Sequence, residues 1–266
     1  MSACQRWREG RDSYRPQGEP IDPRRYGVEV VTEAAAKAFV TGHHYSRSYP
    51  AAVCRVGLYE TTRAGRAELV GVAVFGVPIQ PASLRVHAGC APAEGTELAR
   101  FVLLDRVPAN GETWFLARAF RLLRQEKPHV CAVLAYSDPM ARTTAEGIVV
   151  KPGHVGTIYR AFNGHRAGTS SPRTLILAPD GRVVSGRMLT KLRQGDKGAA
   201  YAYRALLDLG APPRHLGEGD AAYVSRALAE GPWRRVRHPG NLAYTWSLPA
   251  IRRPETPAQL FLEGMG

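Results

Sequence analysis

The sequence predicts a mixed α/β protein built on one large sheet, and three observations carry that prediction. Glu97–Val107 reads as a strand, a helix follows from Asn110 or Thr113 to Lys127, and Val130–Tyr136 is a short apolar run typical of a buried strand. Strand, helix and strand within about 40 residues is the length of a βαβ unit and implies a parallel pair. Cys54–Glu60 and Glu68–Val77 are two β-rich runs joined by a short polar segment, an antiparallel hairpin. Finally, 266 residues at 44% hydrophobic content can bury a sizeable core, and no apolar run approaches the roughly 20 residues of a membrane span.

In chain order, residues 1–27 are rich in Arg, Pro and Gly and are expected to form a poorly ordered basic arm. Val28–Val31 is a candidate strand. Thr32 offers an N-cap, Glu33 suits a first turn, and the alanine-rich run behind them propagates a helix that Gly42 can end. His43-His44-Tyr45-Ser46-Arg47 follows at once, a cluster able to titrate, donate or bind anions. Arg100 sits inside a strand, where a cation needs an anionic partner or a site. Arg118, Arg121 and Arg124 recur on the polar side of the helix that follows.

The strand at Val130–Tyr136 ends in Ser137 and Asp138, at the carboxyl end where open α/β sheets bind ligands. Gly153-His154-Val155-Gly156 then leads into a helix bearing Tyr159, Arg160 and Asn163. Arg173–Ala178 and Arg182–Ser185 read as a hairpin about Pro179-Asp180-Gly181, and Gly198–Leu209 and Ala221–Ala229 as helices. The domain reading is an arm at 1–27, a catalytic core at 28–180 and a basic, mixed α/β extension at 181–266 packed on it.

Net charge is +13, from 36 Lys+Arg against 23 Asp+Glu. The excess is spread along the chain, so the folded body itself is basic. Nearly all the cations are arginines, which hold phosphate through a bidentate fork. Nucleic acid is the natural partner. Arg47, Arg118, Arg121, Arg160, Arg187, Lys191, Arg193, Arg235 and Arg237 are the candidate contacts. Basic residues around 233–238, with Tyr244 and Trp246 close behind, suit backbone contact plus base stacking. Cys4, Cys54, Cys90 and Cys131 show no metal-ligand spacing and read as free thiols. The N-terminus lacks the apolar stretch of a secretory signal, so a cytoplasmic, soluble protein is expected.

The order of elements is similar to the acetyltransferase fold of the GNAT superfamily. Five motifs resemble, more specifically, the phage Mom proteins: His44-Tyr45-Ser46-Arg47, the run Leu69–Pro78, Glu97-Leu98-Ala99-Arg100, Tyr136-Ser137-Asp138, and Gly153–Ala161. Their combination spans residues 28–180. The resemblance implies a GNAT-like, largely antiparallel sheet flanked by helices, with functional roles for His44, Tyr45, Ser46, Arg100, Ser137, Asp138 and Tyr159. It also implies conversion of the adenine N6 amine in double-stranded DNA to an acetamido-type (carbamoylmethyl) adduct that masks phage DNA from restriction. Iron is connected with the family, and His44 and Asp138 would be its ligands here. The sequence departs from ordinary acetyltransferases at the loop ahead of the long helix. Val107–Thr113 holds one glycine and an acid, a poor cradle for the pyrophosphate of acetyl-coenzyme A. Asn110, Thr113, His154 and Asn163 remain candidates for a substrate or cofactor loop.

Modifying an exocyclic amine asks for a base, which Asp138 or His44 could provide, and a donor to developing charge, which Tyr45, Tyr159, Ser137 or Arg100 could provide. Two other readings compete: a coenzyme-A-dependent N-acetyltransferase acting on a protein or small amine, and a non-catalytic DNA-binding protein.

Overall fold

In the computed structural model, residues 4–8, 11–15, 20–44, 46, 48–62 and 64–248 are described. Tyr45 and Arg47 lie outside them. Strands β1 (Cys4–Arg8) and β2 (Arg11–Arg15) pair as a separate antiparallel ribbon within the expected arm. The end of that stretch joins the body, for Ile21 is buried in the core and its N–H donates to Ala109 O at 2.9 Å.

Seven strands form the central sheet: β3 (Tyr26–Val30), β4 (Ala52–Thr61), β5 (Ala67–Gly76), β6 (Gly95–Leu103), β7 (Ala132–Ser137), β10 (His165–Thr169) and β13 (Leu242–Ser247). They lie in the order β10-β13-β7-β6-β5-β4-β3 and are antiparallel except for β6 and β7. This is the mixed, largely antiparallel sheet expected, with helix α2 (Gly111–Glu126) crossing over between the parallel pair.

Helix α2 covers one face because Phe115, Leu116, Ala119, Phe120 and Leu123 recur at helical spacing and pack on Val56, Phe75 and Val133. On the other face, helix α1 (Glu33–His43) lays Ala36, Phe39 and Val40 on Val72, Val74 and Val102. Thr32 caps it, accepting from Ala35 N, an arrangement typically worth about 1 kcal/mol. The helix runs through Gly42 and ends at His43, one residue beyond the expected stop, with His44 in extended conformation. A turn at Leu84–Ala88 covers the far part of that face, its Leu84 packed on Ala132, Leu134 and Ala243.

The carboxyl-terminal part differs from expectation in three ways. Residues 186–194 lie between the hairpin expected to end at Ser185 and the helix expected from Gly198. They form helix α4 (Gly186–Gln194), because Leu189 and Leu192 sit on one side and are buried with α5 (Ala199–Asp208) and α6 (Asp220–Glu230). Strand β11 (Arg173–Leu177) takes as its main partner β12 (Arg234–His238); the 182–185 segment adds only one bridge, Leu177 to Val183. Tyr244 and Trp246 are not a stacking surface. They alternate with Leu242 along β13, which enters the central sheet between β7 and β10, and they are 1% and 9% exposed. Tyr244 Oη donates to Val155 O and Trp246 Nε1 to Phe162 O. Among the described residues no helix is long and apolar enough to cross a membrane.

Candidate active site

The parallel pair is short. Gly95, Thr96 and Glu97 align with Ala132, Val133 and Leu134, after which β6 stays with β5 and β7 stays with β13. Beyond Glu97 and Leu134 the strands part, leaving a crevice at the carboxyl end of β7, where a sheet offers ligand sites. Register decides which side chains face it. Glu97 opposes Gly76 and Arg100 opposes Val74, with an irregularity at Ala99 between them. That bulge puts Glu97 and Arg100 on the same face, together with Leu134, Tyr136 and Asp138.

Three segments wall the crevice. The first follows α1. Arg100 donates from Nε to Ser48 O at 3.0 Å and from Nη2 to Ser48 Oγ at 2.8 Å. Ser48 Oγ donates to Ser46 Oγ at 3.2 Å, and Ser46 meets His44 Nδ1 through its hydroxyl at 2.7 Å and its backbone N–H at 3.1 Å. A backbone N–H can only donate, so Nδ1 accepts and the proton of neutral His44 sits on Nε2. Burial, reinforced by the nearby Arg100 and His154, lowers the His44 pKa to about 3. His44 at neutral pH is therefore an uncharged Nε2–H donor, although it stands at the C-terminus of α1, where the helix dipole favours a protonated imidazole.

The second wall is the 83–88 turn, where the His87 ring meets Tyr136 edge to face at 6.0 Å. Exposed Ile79 and Val86 flank it. The third is the segment after Asp138. It forms a small hairpin, β8 (Arg142–Thr143) with β9 (Val149–Lys151), and returns to Asp138. Lys151 is 2% exposed and places Nζ 3.0 Å from Asp138 Oδ2, 3.1 Å from Asp138 O and 3.0 Å from Met140 O. His238, fully buried, lies with Nε2 2.9 Å from Asp138 Oδ1. Gly240 N–H donates to its Nδ1, so Nε2 carries the proton that Asp138 accepts. Met140 N also donates to Oδ1. Burial pushes the Asp138 pKa up, but Lys151, His238 and the Met140 amide outweigh it and the net shift is downward. Both oxygens are thus committed to holding three segments together.

Glu97 carries the opposite shift: burial raises its pKa, and Arg100 offsets only part of that. His154, whose N–H donates to Asp138 O, is pushed down to about 4 by burial and Lys151, with Asp138 pulling the other way. Tyr159 on α3 (Thr157–Ala161) reaches the site through the His154 ring at 6.5 Å and otherwise packs on Tyr244 and Trp246. Ser137 faces away, toward the α2 core; it is fully buried and its Oγ has no hydrogen-bond partner among the described residues.

The two glycines of the 153–156 motif answer to packing. A Cβ on Gly153 would stand 2.2 Å from Pro139 O, and Gly156 combines φ +71° with contact on the Tyr244 ring. Asn163 and Asn110 both take positive φ at helix boundaries, and Thr113 Oγ1 donates to Asn110 O. Of the nucleic-acid candidates, Arg118 stacks on Trp114 at 3.5 Å, while Arg121, Arg187, Lys191, Arg193, Arg235 and Arg237 are exposed. Arg160 lines a surface cavity of about 510 Å³ with Arg166, Leu242 and Tyr244 on the side away from Glu97.

Neither cofactor suggested by the sequence fits these residues. His44 Nδ1 is occupied, Asp138 is saturated, and no group of three His, Cys, Asp or Glu among the described residues could hold a metal ion. At the start of α2, Gly111 packs against Val107 and the buried Glu112 carboxyl stands in the first turn, where a pyrophosphate would need amides free of negative charge.

A family model described as the Mom protein family matches residues 25–211, which is more than half of the chain. The chain belongs to the Mom protein family. The match takes in His44, Glu97, Arg100, Asp138, Lys151, His154 and Tyr159, while His238, Arg235 and Arg237 lie beyond it. No curated protein sequence matches. Among solved structures, a tandem GNAT protein from the clavulanic acid biosynthesis pathway, without AcCoA, aligns at 10% identity over 86% of this chain and 100% of that one. Its TM-score of 0.40 carries no argument about the site. The Mom relationship expected from the five motifs therefore holds, and the geometry adds Glu97, Lys151 and His238 to the candidate residues.

The two histidines set an expected pH dependence. Each has a folded pKa below its usual 6.5, so the folded protein binds fewer protons than the unfolded chain between there and pH 3 to 4. Their contribution is complete above pH 6.5 and is lost as pH falls, at up to about 1.4 kcal/mol per pH unit for each. Glu97 acts with the opposite sign, contributing at low pH and losing that contribution as pH rises through its raised pKa. Melts from pH 7.5 to 4.5 should show falling stability, and His44→Gln should flatten the slope. An unchanged slope in that variant would contradict the buried neutral imidazole.

Proposed function

We propose that this Mom-family protein is a DNA base-modifying transferase acting on the exocyclic N6 amine of adenine and adding an acetamido-type (carbamoylmethyl) group. In a bacterial cytoplasm it would protect phage or mobile-element DNA from restriction. The observation that carries the reading is the convergence, in one crevice, of the raised-pKa Glu97 carboxyl, the neutral His44 Nε2–H and the Arg100 guanidinium.

The chemistry follows from the amine. Its lone pair is delocalised into the purine ring, so it attacks only as its proton leaves. Glu97 takes that proton while the N6–carbon bond forms and the bond from that carbon to the donor's leaving group breaks, the electron pair departing with the leaving group. A carboxylate with a raised pKa is a stronger base than Asp138, which is held down by Lys151, His238 and the Met140 amide. His44 Nε2–H and Arg100 would hold the carbonyl oxygen of the moving group or the departing anion. The target base must leave the stack to reach Glu97, and the exposed Ile79 and Val86 beside the crevice suit the rim over which it passes.

The test is mass spectrometry of nucleosides from DNA of cells expressing the chain. A modified adenine carrying the added mass is expected. Only unmodified nucleosides, with folded protein present, would end the proposal, and tight, saturable acetyl-coenzyme-A binding with turnover indifferent to DNA would replace it by an ordinary N-acetyltransferase.

A further inference from the structure

Outside the crevice, the region around α4, α5 and α6 has its own apolar core, built on Leu189, Leu192, Leu206, Tyr223 and Val224. Its charges are sorted by side. Arg182 pairs with Asp180, Arg214 with Asp220, and Arg226 with Glu218 and Glu230, so the cations near α6 and the 179–182 turn are neutralised. Arg187, Lys191, Arg193, Lys197 and Arg204, on α4, the following turn and α5, are all exposed and take part in no ion pair among the described residues.

Spacing makes a surface of them. Leu189 and Leu192 turn inward, which leaves Arg187, Thr190, Lys191 and Gln194 along the outward stripe of α4. The next turn, Gly195 to Gly198, brings α5 alongside, and Lys191 Nζ comes within 4.0 Å of where a Cβ would stand on Gly198. From there Lys197, Tyr201 and Arg204 continue the line, with Tyr201 73% exposed. The stripe thus carries cations, hydrogen-bonding side chains and one aromatic, with Ala200 as its exposed aliphatic residue and no large one. A membrane surface would call for aliphatic side chains; a polyanion with base edges within a groove calls for Arg, Lys, Gln and Thr.

We propose that the exposed face of α4 and the start of α5 is a duplex-DNA docking surface, separate from the crevice, that positions the target. The inference rests on the reading that the crevice acts on DNA, and its test needs no donor. Purified full-length chain is titrated with a mixed-sequence DNA duplex from 50 to 300 mM salt, alongside an Arg187→Ala/Lys191→Ala/Lys197→Ala variant. Each lost phosphate contact should make the salt slope shallower by about 0.9, so the variant should lose about 2 to 3 in slope and at least tenfold in affinity. Its melting temperature should match wild type, since the side chains are exposed, and Arg187→Lys should keep the slope. Wild type that binds while the triple variant binds equally, with the same slope, overturns the docking face and leaves the crevice reading intact. Wild type that ignores duplex DNA at 50 mM salt, or prefers an RNA duplex, overturns both.

Discussion

Lys151→Met is expected to destabilise the protein by about 3–5 kcal/mol, the usual cost of removing one partner from a buried ion pair. The substitution keeps most of the side chain's volume, so lost packing contributes little. What it removes is the ammonium that serves Asp138 Oδ2, Asp138 O and Met140 O at once. Asp138 would be left half-buried with only His238 and the Met140 amide to oppose its charge. Its pKa should rise, so the deficit relative to wild type should be largest near neutral pH and shrink as pH falls and the uncompensated carboxylate takes up its proton. Adding Asp138→Asn to Lys151→Met should recover part of the loss, because the uncompensated charge goes with it; denaturant unfolding of the single and double variants gives the coupling. Additive losses would mean that the two residues act independently. A melting temperature unchanged in Lys151→Met would mean that the 142–151 hairpin is not fastened to the strand end through this contact.

The same cluster shows why the site was only partly legible in the sequence. β6, α2 and β7 announce themselves because buried strands and an amphipathic helix impose periods on the chain, and the five Mom motifs ride on those elements. Lys151 and His238 impose no period. They stand 13 and 100 residues from Asp138, Lys151 after a short apolar run that ends at Pro152-Gly153 and His238 at the end of a basic run that suggests a surface. Only the closing of the 142–151 hairpin and the pairing of β12 with β11 bring them in. Glu97 was hidden by a different effect. In a regular strand, residues 97 and 100 fall on opposite faces, and only the irregularity at Ala99 turns both into the crevice. Tyr244 and Trp246 were legible in principle. Leu242, Tyr244 and Trp246 alternate as a buried strand should, but the basic run just ahead drew them toward the nucleic-acid reading.

That bulge also fixes what Glu97→Gln should do. The substitution preserves size and removes the crevice carboxylate whose affinity for protons burial raises, so modified adenine should fall by about 10² to 10⁴, the range general-base catalysis supplies. Because burial makes Glu97 hold its proton to a higher pH than a solvated glutamate does, the wild-type rate should climb with pH through that raised pKa, and the variant should lack the rising limb. DNA affinity should stay within about twofold, since docking through α4 and α5 lies outside the crevice. Stability should be equal or slightly higher at neutral pH, where a neutral amide replaces a carboxylate that burial disfavours. The rival base is Asp138, and stability separates the two. Asp138→Asn weakens the bond to Lys151 and should unfold more readily, while Glu97→Gln should not. If Glu97→Gln still yields near-wild-type modified adenine and a well-folded Asp138→Asn protein yields none, the base is Asp138, and its contacts with Lys151 and His238 must loosen when the target base enters.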